Sequence, residues 1–475
     1  MKLRSRSFGL VATLLASCLA LMSGCVSQDA GYQDVRKVVA NRTGHDARWG
    51  HIEGDGASRN AVRELLAKPL TAENAVKLAL LNSAELQAAF EELGVARADL
   101  VSALRLPNPV AEGSVRFRRN ESATLDFAVT EDLTQLVFLP LRNGVAQAQL
   151  EAAKVGVAGR ALDLVLQVRT AFYGYLADRQ VLEFRETVLK ALEASATAAK
   201  SLHEAGNITD LDLDTEQVLY DEARVNFAGA QTALLASRER LSALLGLWGK
   251  RGEWQVTGRL SDPPSDLPLA DLESKAVERS LDLAIIKYRF QAAAKRANLA
   301  TAEGWLPELK AGATAEREEK QWSYGPLAEV QVPLFYQGQG EVGRARAEMR
   351  RQRQLLEARA VQIRAAARSS AARVAAARDR ALYIKAVLLP ARERILHQTQ
   401  LQFNAMSVSV FQLLLARRDQ IDAARTYVEA LREYWTARAE AEQLRSGRLP
   451  SGSALTSEAI GGEPSAAGGQ APAGH

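Results

Sequence analysis

After Pro140 the chain has no proline until Pro263, and the stretch between them is rich in alanine, leucine, glutamate and arginine. These residues lose least on entering a helix. Nothing interrupts them from Asn143 to about Glu204, which predicts one helix of some 60 residues, ~90 Å long at 1.5 Å per residue. Gly206-Asn207 breaks the run, Thr209 or Asp210 can cap a return helix, and that second helix runs to about Leu245. A hairpin of such helices far exceeds the few turns of an ordinary globular helix. A compact helical domain is therefore excluded for this part of the chain.

The residues just before the hairpin follow a different period. Leu106 opens LPNPVAEGSVRF, Arg119–Ser122 make a polar turn, and TLDFAVTEDLTQLVF follows before LPLRNG ends at Gly144. Within Thr124–Leu133, Leu125, Phe127 and Val129 alternate with Asp126, Ala128 and Thr130. A period of two places the apolar set on one face of a strand and the polar set on the other. The pattern returns at Leu306-Pro307, with ELKAGATAER, a turn at Glu318–Gln321, and SYGPLAEVQVPLFYQG. Leu106-Pro107 matches Leu306-Pro307, Gly206 falls opposite Met406, and Leu213 and Ala223 match Leu413 and Ala423, all at an offset of 200. The turn glycines Gly144 and Gly340 differ by 196. This is a duplicated domain-sized unit, not a solenoid repeat.

The chain divides accordingly. The first repeat covers 71–249, with strands at about 109–118 and 124–133. A turn-rich linker occupies 250–268, and the second repeat covers 269–446, with strands at about 308–317 and 323–333. Thr71 with Glu73-Asn74 caps the first helix, and Pro107 and Pro109 stop it. Pro390 interrupts the second long run and predicts a kink there. Residues 447–475 are Gly, Ser, Pro and Ala with nothing to bury, which predicts disorder.

The N-terminus reads as a signal peptide over 1–24: Lys2, Arg4 and Arg6 precede an apolar run, Phe8–Met22, too short to be a good span. Leu21-Met22-Ser23-Gly24-Cys25 resembles a bacterial lipobox, making Cys25 the candidate lipidation site, with Cys18 as a rival. Val26 after Cys25, by analogy with bacterial lipoproteins, directs sorting to the outer membrane. Residues 25–70 then form an arm, expected to be extended, that ties the lipid site to the repeats. Both cysteines lie in the leader, so the remainder has neither a disulfide nor a thiolate metal site. No later stretch is apolar enough for a helical span, so any crossing of a membrane must use strands.

Function classes narrow by what is missing. There is no HExxH, P-loop, GxSxG or dinucleotide fingerprint, and the five histidines are scattered, His45 and His51 included. An enzyme and a resident metal site are therefore not expected. Without the leader the charge is almost balanced, and the Arg-rich runs Arg344–Arg353 and Ile363–Arg373 carry no interleaved aromatics. They read as solvated or lumen-facing helix surface, not a nucleic-acid stripe. Each predicted strand is about ten residues long, which suits a tilted membrane strand. Four strands cannot close a barrel, so a membrane role demands an oligomer, and 8, 12 or 16 strands would each close. The strands also fit a small β-domain on a helical stalk.

The combination of lipobox, tandem repeat, Leu-Pro entry, strand pair, Pro-Leu exit and long hairpin resembles the TolC-like outer-membrane efflux family over about 71–445. Val332-Pro333-Leu334-Phe335 before Gly338 and Gly340 is similar to that family's strand exit, and Glu204-Ala205-Gly206-Asn207 with Asp210 to its hairpin turn. The arm and lipid site resemble the lipoprotein branch that works with resistance-nodulation-division pumps. The resemblance implies a mainly α chain with transmembrane β: a homotrimer whose 12-stranded barrel in the outer membrane continues as a helical tunnel in the periplasm. It implies adaptor docking at Gly206, Asn207, Met406 and Ser407, above an inner-membrane pump. Relatives gate the entrance near the second hairpin with acidic residues. Here Val410–Arg417 reads VFQLLLAR, with Leu413 and Ala416 at the gate positions, whereas Asp210, Asp212 and Asp214 lie on the first hairpin. The expected constriction is thus Asp210, Asp212, Leu413 and Ala416. No cofactor is expected beyond the covalent lipid at Cys25. A heavy-metal or other toxic cargo, a type I secretion conduit, and a periplasmic coiled-coil lipoprotein stay open as functions.

Overall fold

The computed structural model describes residues 29–50, 55–117, 123–249, 253–265, 269–306, 308–318 and 321–450. The signal peptide, Cys18, Cys25, His51, the turn at Arg119–Ser122, Pro307 and most of the C-terminal tail lie outside the described residues. The chain forms two compact units, one of residues up to 164 with 245–256 and 281–358, the other of 165–244, 257–280 and 359 onward.

In the first unit the arm is folded and not extended. Helix α1 (Tyr32–Thr43) and helix α2 (Asp55–Leu66) precede the first repeat. Tyr32, Trp49 and Phe90 are buried together, with ring centroids 5.4–6.0 Å apart. The Tyr32 hydroxyl donates to the Ala47 carbonyl at 3.0 Å and accepts from the Trp49 amide at 3.1 Å, while Trp49 Nε1 donates to Glu91 at 2.9 Å. Aromatic side chains bury large areas and need a partner for their polar tips. With both conditions met, Tyr32 and Trp49 pack the arm onto the repeat at Phe90. His45 Nε2 pairs with Glu73 at 2.5 Å, a structural contact.

Helices α3 (Ala72–Asn82) and α4 (Ala84–Leu104) follow, capped by Thr71 and Ser83. The strands are β1 (Val110–Arg116) and β2 (Thr124–Asp132). Helix α5 (Thr134–Glu204) has 71 residues and contains Pro140, so it starts nine residues before the expected Asn143. The Asp132 carboxylate accepts from the Thr134 amide at 2.9 Å, and Leu133 and Thr134 are bonded to Leu309. This capping nucleates the helix, and a proline in its second turn removes a single ladder bond. Helix α6 (Asp210–Leu244) ends at Gly246, φ +67°, where a Cβ would sit 2.4 Å from the Asn82 carbonyl oxygen.

The second repeat replays this order. It runs α7 (Leu272–Glu278), α8 (Leu281–Trp305), β3 (Leu309–Glu318), β4 (Gln321–Val330) and α9 (Gln339–Tyr383). A π-helical segment, Ile384–Leu388, then leads into α10 (Leu389–Asn404), and α11 (Val410–Arg445) closes the repeat. The π segment lies where Pro390 cannot donate to Ala386; the Leu389 amide instead reaches back five residues to Ile384. The widened turn thus falls at the position where the proline predicts a departure from regular helix. All four strands form one antiparallel sheet in the order β1-β2-β3-β4.

Candidate functional site

The register of the sheet sorts its residues onto two chemically distinct faces. Gly113, Phe127, Ala315 and Tyr324 lie abreast, as do Ala111, Val129, Ala313 and Pro326, and Val115, Leu125, Arg317 and Trp322. This face is apolar between Glu131 at one end and Arg317 at the other. Phe127, Val129 and Tyr324 are exposed, and Leu125 is half-buried. Phe127 stacks on Trp322 at 6.2 Å and Trp322 on Tyr324 at 6.1 Å, with Arg317 over the Trp322 ring. Beyond one end of the strands stands Phe117, and beyond the other stand Trp305, Phe335 and Tyr336, all exposed. A band of apolar residues edged by aromatics is the surface that a strand wall presents to lipid.

The opposite face is polar. Glu112, Ser114 and Arg116 lie beside Asp126, Ala128 and Thr130, then Thr314, Glu316 and Glu318, then Gln321, Ser323 and Glu329. Arg116 binds Asp126 at 2.7 Å and approaches Glu316 at 3.8 Å, and Ser114 donates to Asp126 at 2.9 Å. Lys310, level with Asp132 and Glu329, pairs with Glu308 at 2.7 Å. Carboxylates outnumber cations on this face.

The two hairpin turns share one backbone design. At the first, the Gly206 amide donates to His203 O and the Asn207 amide to Leu202 O, both at 2.8 Å. At the second, Met406 donates to Phe403 O and Ser407 to Gln402 O, both at 2.9 Å. Both are Schellman caps, with Gly206 at φ +76° and Met406 at φ +56°. Glycine adopts that conformation freely, whereas methionine is strained in it. Met406 is also 94% exposed, so its neighbours in the chain do not explain its choice.

The four residues expected at the entrance have different surroundings. Asp212 and Thr209 form a reciprocal capping box: the Asp212 carboxylate accepts the Thr209 hydroxyl at 2.8 Å and the Thr209 amide at 3.2 Å. Those bonds hold its carboxyl below the ordinary carboxylate value. Asp210 is exposed and bonded to His203 Nε2 at 2.6 Å. Leu413 is half-buried in the first turn of α11, while Ala416 is buried. Three arginines of α9 are matched to acids, Arg373 to Glu440 at 2.7 Å, Arg380 to Glu433 at 3.1 Å and Arg368 to Glu273 at 3.2 Å.

One cluster had no local signal in the sequence. In the second unit, linker residues 257–265 lie across three helices. The Gly258 carbonyl accepts from Arg179 of α5, and Arg259 pairs with Glu183 of the same helix at 2.6 Å. The Ser261 carbonyl accepts from Trp435 Nε1 of α11, and the Ser265 carbonyl from Arg378 of α9, both at 2.8 Å. The Asp262 carboxylate accepts from Lys385, inside the π segment, and from the Tyr427 hydroxyl of α11. The two hydrogen bonds hold the Asp262 carboxyl below its usual value. Burial and the bond to Asp262 push the Tyr427 hydroxyl well above its own.

A sheet with one lipid-compatible face, set into a duplicated long helical hairpin, defines the protomer of an outer-membrane channel. Residues 75–247 match the family described as outer membrane efflux protein. It is similar to the cobalt-zinc-cadmium resistance protein CzcC of Cupriavidus metallidurans, 23% identical over 377 residues that cover 78% of this chain and 88% of the relative. Among solved structures it shares the fold of CusC, with a TM-score of 0.62, 16% identity, and coverage of 82% of this chain and 92% of that one. The open state of the Neisseria gonorrhoeae MtrE outer membrane channel gives a TM-score of 0.66, 14% identity, and coverage of 80% and 89%. The protein is accordingly an efflux channel component of the outer membrane of a Gram-negative bacterium, extending into the periplasm.

Proposed function

We propose that this chain is the outer-membrane exit duct of a tripartite efflux system that expels divalent metal cations. The observation that carries the reading is the two-faced sheet: an apolar face for lipid and a carboxylate-rich face for a water-filled lumen, in which cations concentrate. The similarity to CzcC supports the choice of cargo. The metal is cargo and not a resident cofactor, so no fixed ligand set is required of the chain.

Four strands leave β1 and β4 as sheet edges, and open edges are not tolerated in lipid. Three copies joined edge to edge supply 12 strands, an even number within the known range. The helices support the same assembly. Leu211, Val218 and Val225 of α6 recur every seven residues and are 74%, 57% and 73% exposed, a seam for a helix of a neighbouring copy. In this reading Gly206, Asn207, Met406 and Ser407 meet the periplasmic adaptor beneath which an inner-membrane pump of the resistance-nodulation-division type sits. Asp210, Asp212 and Leu413 border the entrance, with Ala416 packed behind it. Cys25 carries the lipid anchor.

The test is a deletion strain challenged with cobalt, zinc and cadmium salts, dyes and antibiotics, and complemented with the intact gene. Restored metal tolerance supports the reading. Unchanged tolerance to all of these compounds, with loss of a secreted protein from the medium, would replace efflux by secretion.

A further inference from the structure

We propose that the linker between the repeats is a latch on a hinge, and that the contact of Asp262 with Lys385 and Tyr427 holds the second hairpin in its resting position. The inference rests on the channel reading above and adds a means of regulating it.

The hinge is visible as a change of packing along one helix. From the middle of α9 to the start of the π segment, Ile363, Ser370, Ala377 and Ile384 are buried at seven-residue intervals, and Ala367, Val374 and Ala381 make a second buried row. This is a regular heptad seam. It ends at Ile384, the first residue of the π segment. A π bulge inserts one residue into the helix, which rotates everything beyond it by about 100° relative to the seam. The stripe then leaves the core, and α10 has no buried residue over its 16 positions. Pro390, at the second position of α10, removes one further ladder donor. A well-packed helix thus gives way, at one widened turn, to one with no buried residue.

The linker is fastened at that turn. Lys385 belongs to the π segment, and Tyr427 to the helix that returns beside it, so a single carboxylate ties both arms of the hairpin to the linker. The linker is itself held by Arg179 and Glu183 of α5, which makes the first repeat's long helix the fixed point. A surface ion pair alone is weak. Here the carboxylate also accepts a phenol, and three linker carbonyls with no secondary-structure partner receive side-chain donors nearby. The contact is a conformational bias, and releasing it lets the hairpin pivot.

The experiment uses the purified full-length chain in planar bilayers. Replacing the latch carboxylate (Asp262→Ala, with Asp262→Asn as the conservative check on folding) is expected to raise the open-state occupancy several-fold, and Lys385→Ala to act in the same direction. The pair Asp262→Cys with Lys385→Cys, in a background with no other cysteine between 26 and 475, is then joined by a short thiol-specific cross-linker that a reductant cleaves. Cross-linking is expected to hold occupancy below that of the parent, and the reductant to restore it. If the parent conducts while the released and the cross-linked variants match it, the latch is wrong and the channel reading stands. If the parent forms no pore in bilayers where a known outer-membrane channel does, the channel reading fails and the latch with it.

Discussion

The facing of the sheet can be tested at adjacent residues. Phe127 lies on the apolar face, five residues before the end of β2 at Asp132. Five residues of antiparallel strand advance ~17 Å, and a tilt near 45° brings Phe127 ~12 Å above the rim, close to the midplane of an apolar band about 25 Å tall. An arginine at that depth on the lipid side costs about 2–4 kcal/mol per chain, roughly 30- to 900-fold in an insertion equilibrium. The ring's contact with Trp322 would be lost as well. Ala128, the next residue, is on the polar face abreast of Glu112 and Thr314, where an arginine finds a carboxylate and water. Phe127→Arg should therefore strongly reduce the chain recovered in outer-membrane fractions of a density gradient, and Ala128→Arg should leave it near the parent level. Equal recovery of both, or loss of Ala128→Arg alone, would refute the facing.

The hairpin turns give a second test. Met406→Gly relieves a left-handed methionine and should slow local amide exchange at the second turn, by the equivalent of about 1 kcal/mol, whereas Gly206→Ala should speed it at the first. A third concerns Gly246, where φ is +67° and a Cβ would meet the Asn82 carbonyl oxygen at 2.4 Å. Gly246→Ala should cost on the order of 1–3 kcal/mol, read as a lower thermal midpoint of the detergent-solubilised protein. The fourth is a pH dependence at Asp262. Its folded pKa lies below the ordinary 3.8, because Lys385 and Tyr427 donate to it. Its stabilising contribution is therefore complete above 3.8 and is lost only as the pH falls through the lower folded value. Amide protection of the linker should stay constant from pH 7 to 5 and fall below pH 4; loss between pH 7 and 5 would contradict the assignment.

Much of the architecture is legible in the chain because local period carries it. Alternation in Thr124–Leu133 marks which side of β2 is apolar, and the offset of 200 between Gly206 and Met406 marks two turns that share one hydrogen-bond pattern. Proline misleads in one place, since capping by Asp132 starts α5 ahead of Pro140. The arm misleads for another reason: its fold depends on Tyr32 and Trp49 meeting Phe90, a long-range contact with no periodic trace. The linker contacts are less visible still. Asp262 and Lys385 are separated by 123 residues, and both are ordinary surface residue types. Among the residues expected at the entrance, Asp212 reads in the sequence as a pore acid, and the structure makes a helix cap of it.

The order of the sheet bears on how the protein reaches its membrane. With β1 and β4 at the edges, one chain presents two unsatisfied rows of backbone amides and carbonyls beside an exposed aromatic surface. Neither water nor lipid suits both at once. With the trimer proposed above, a lone chain is a transit species, and residence in the bilayer begins when copies meet. Membrane delivery then depends on the concentration of the chain, and it should fall more steeply than synthesis does.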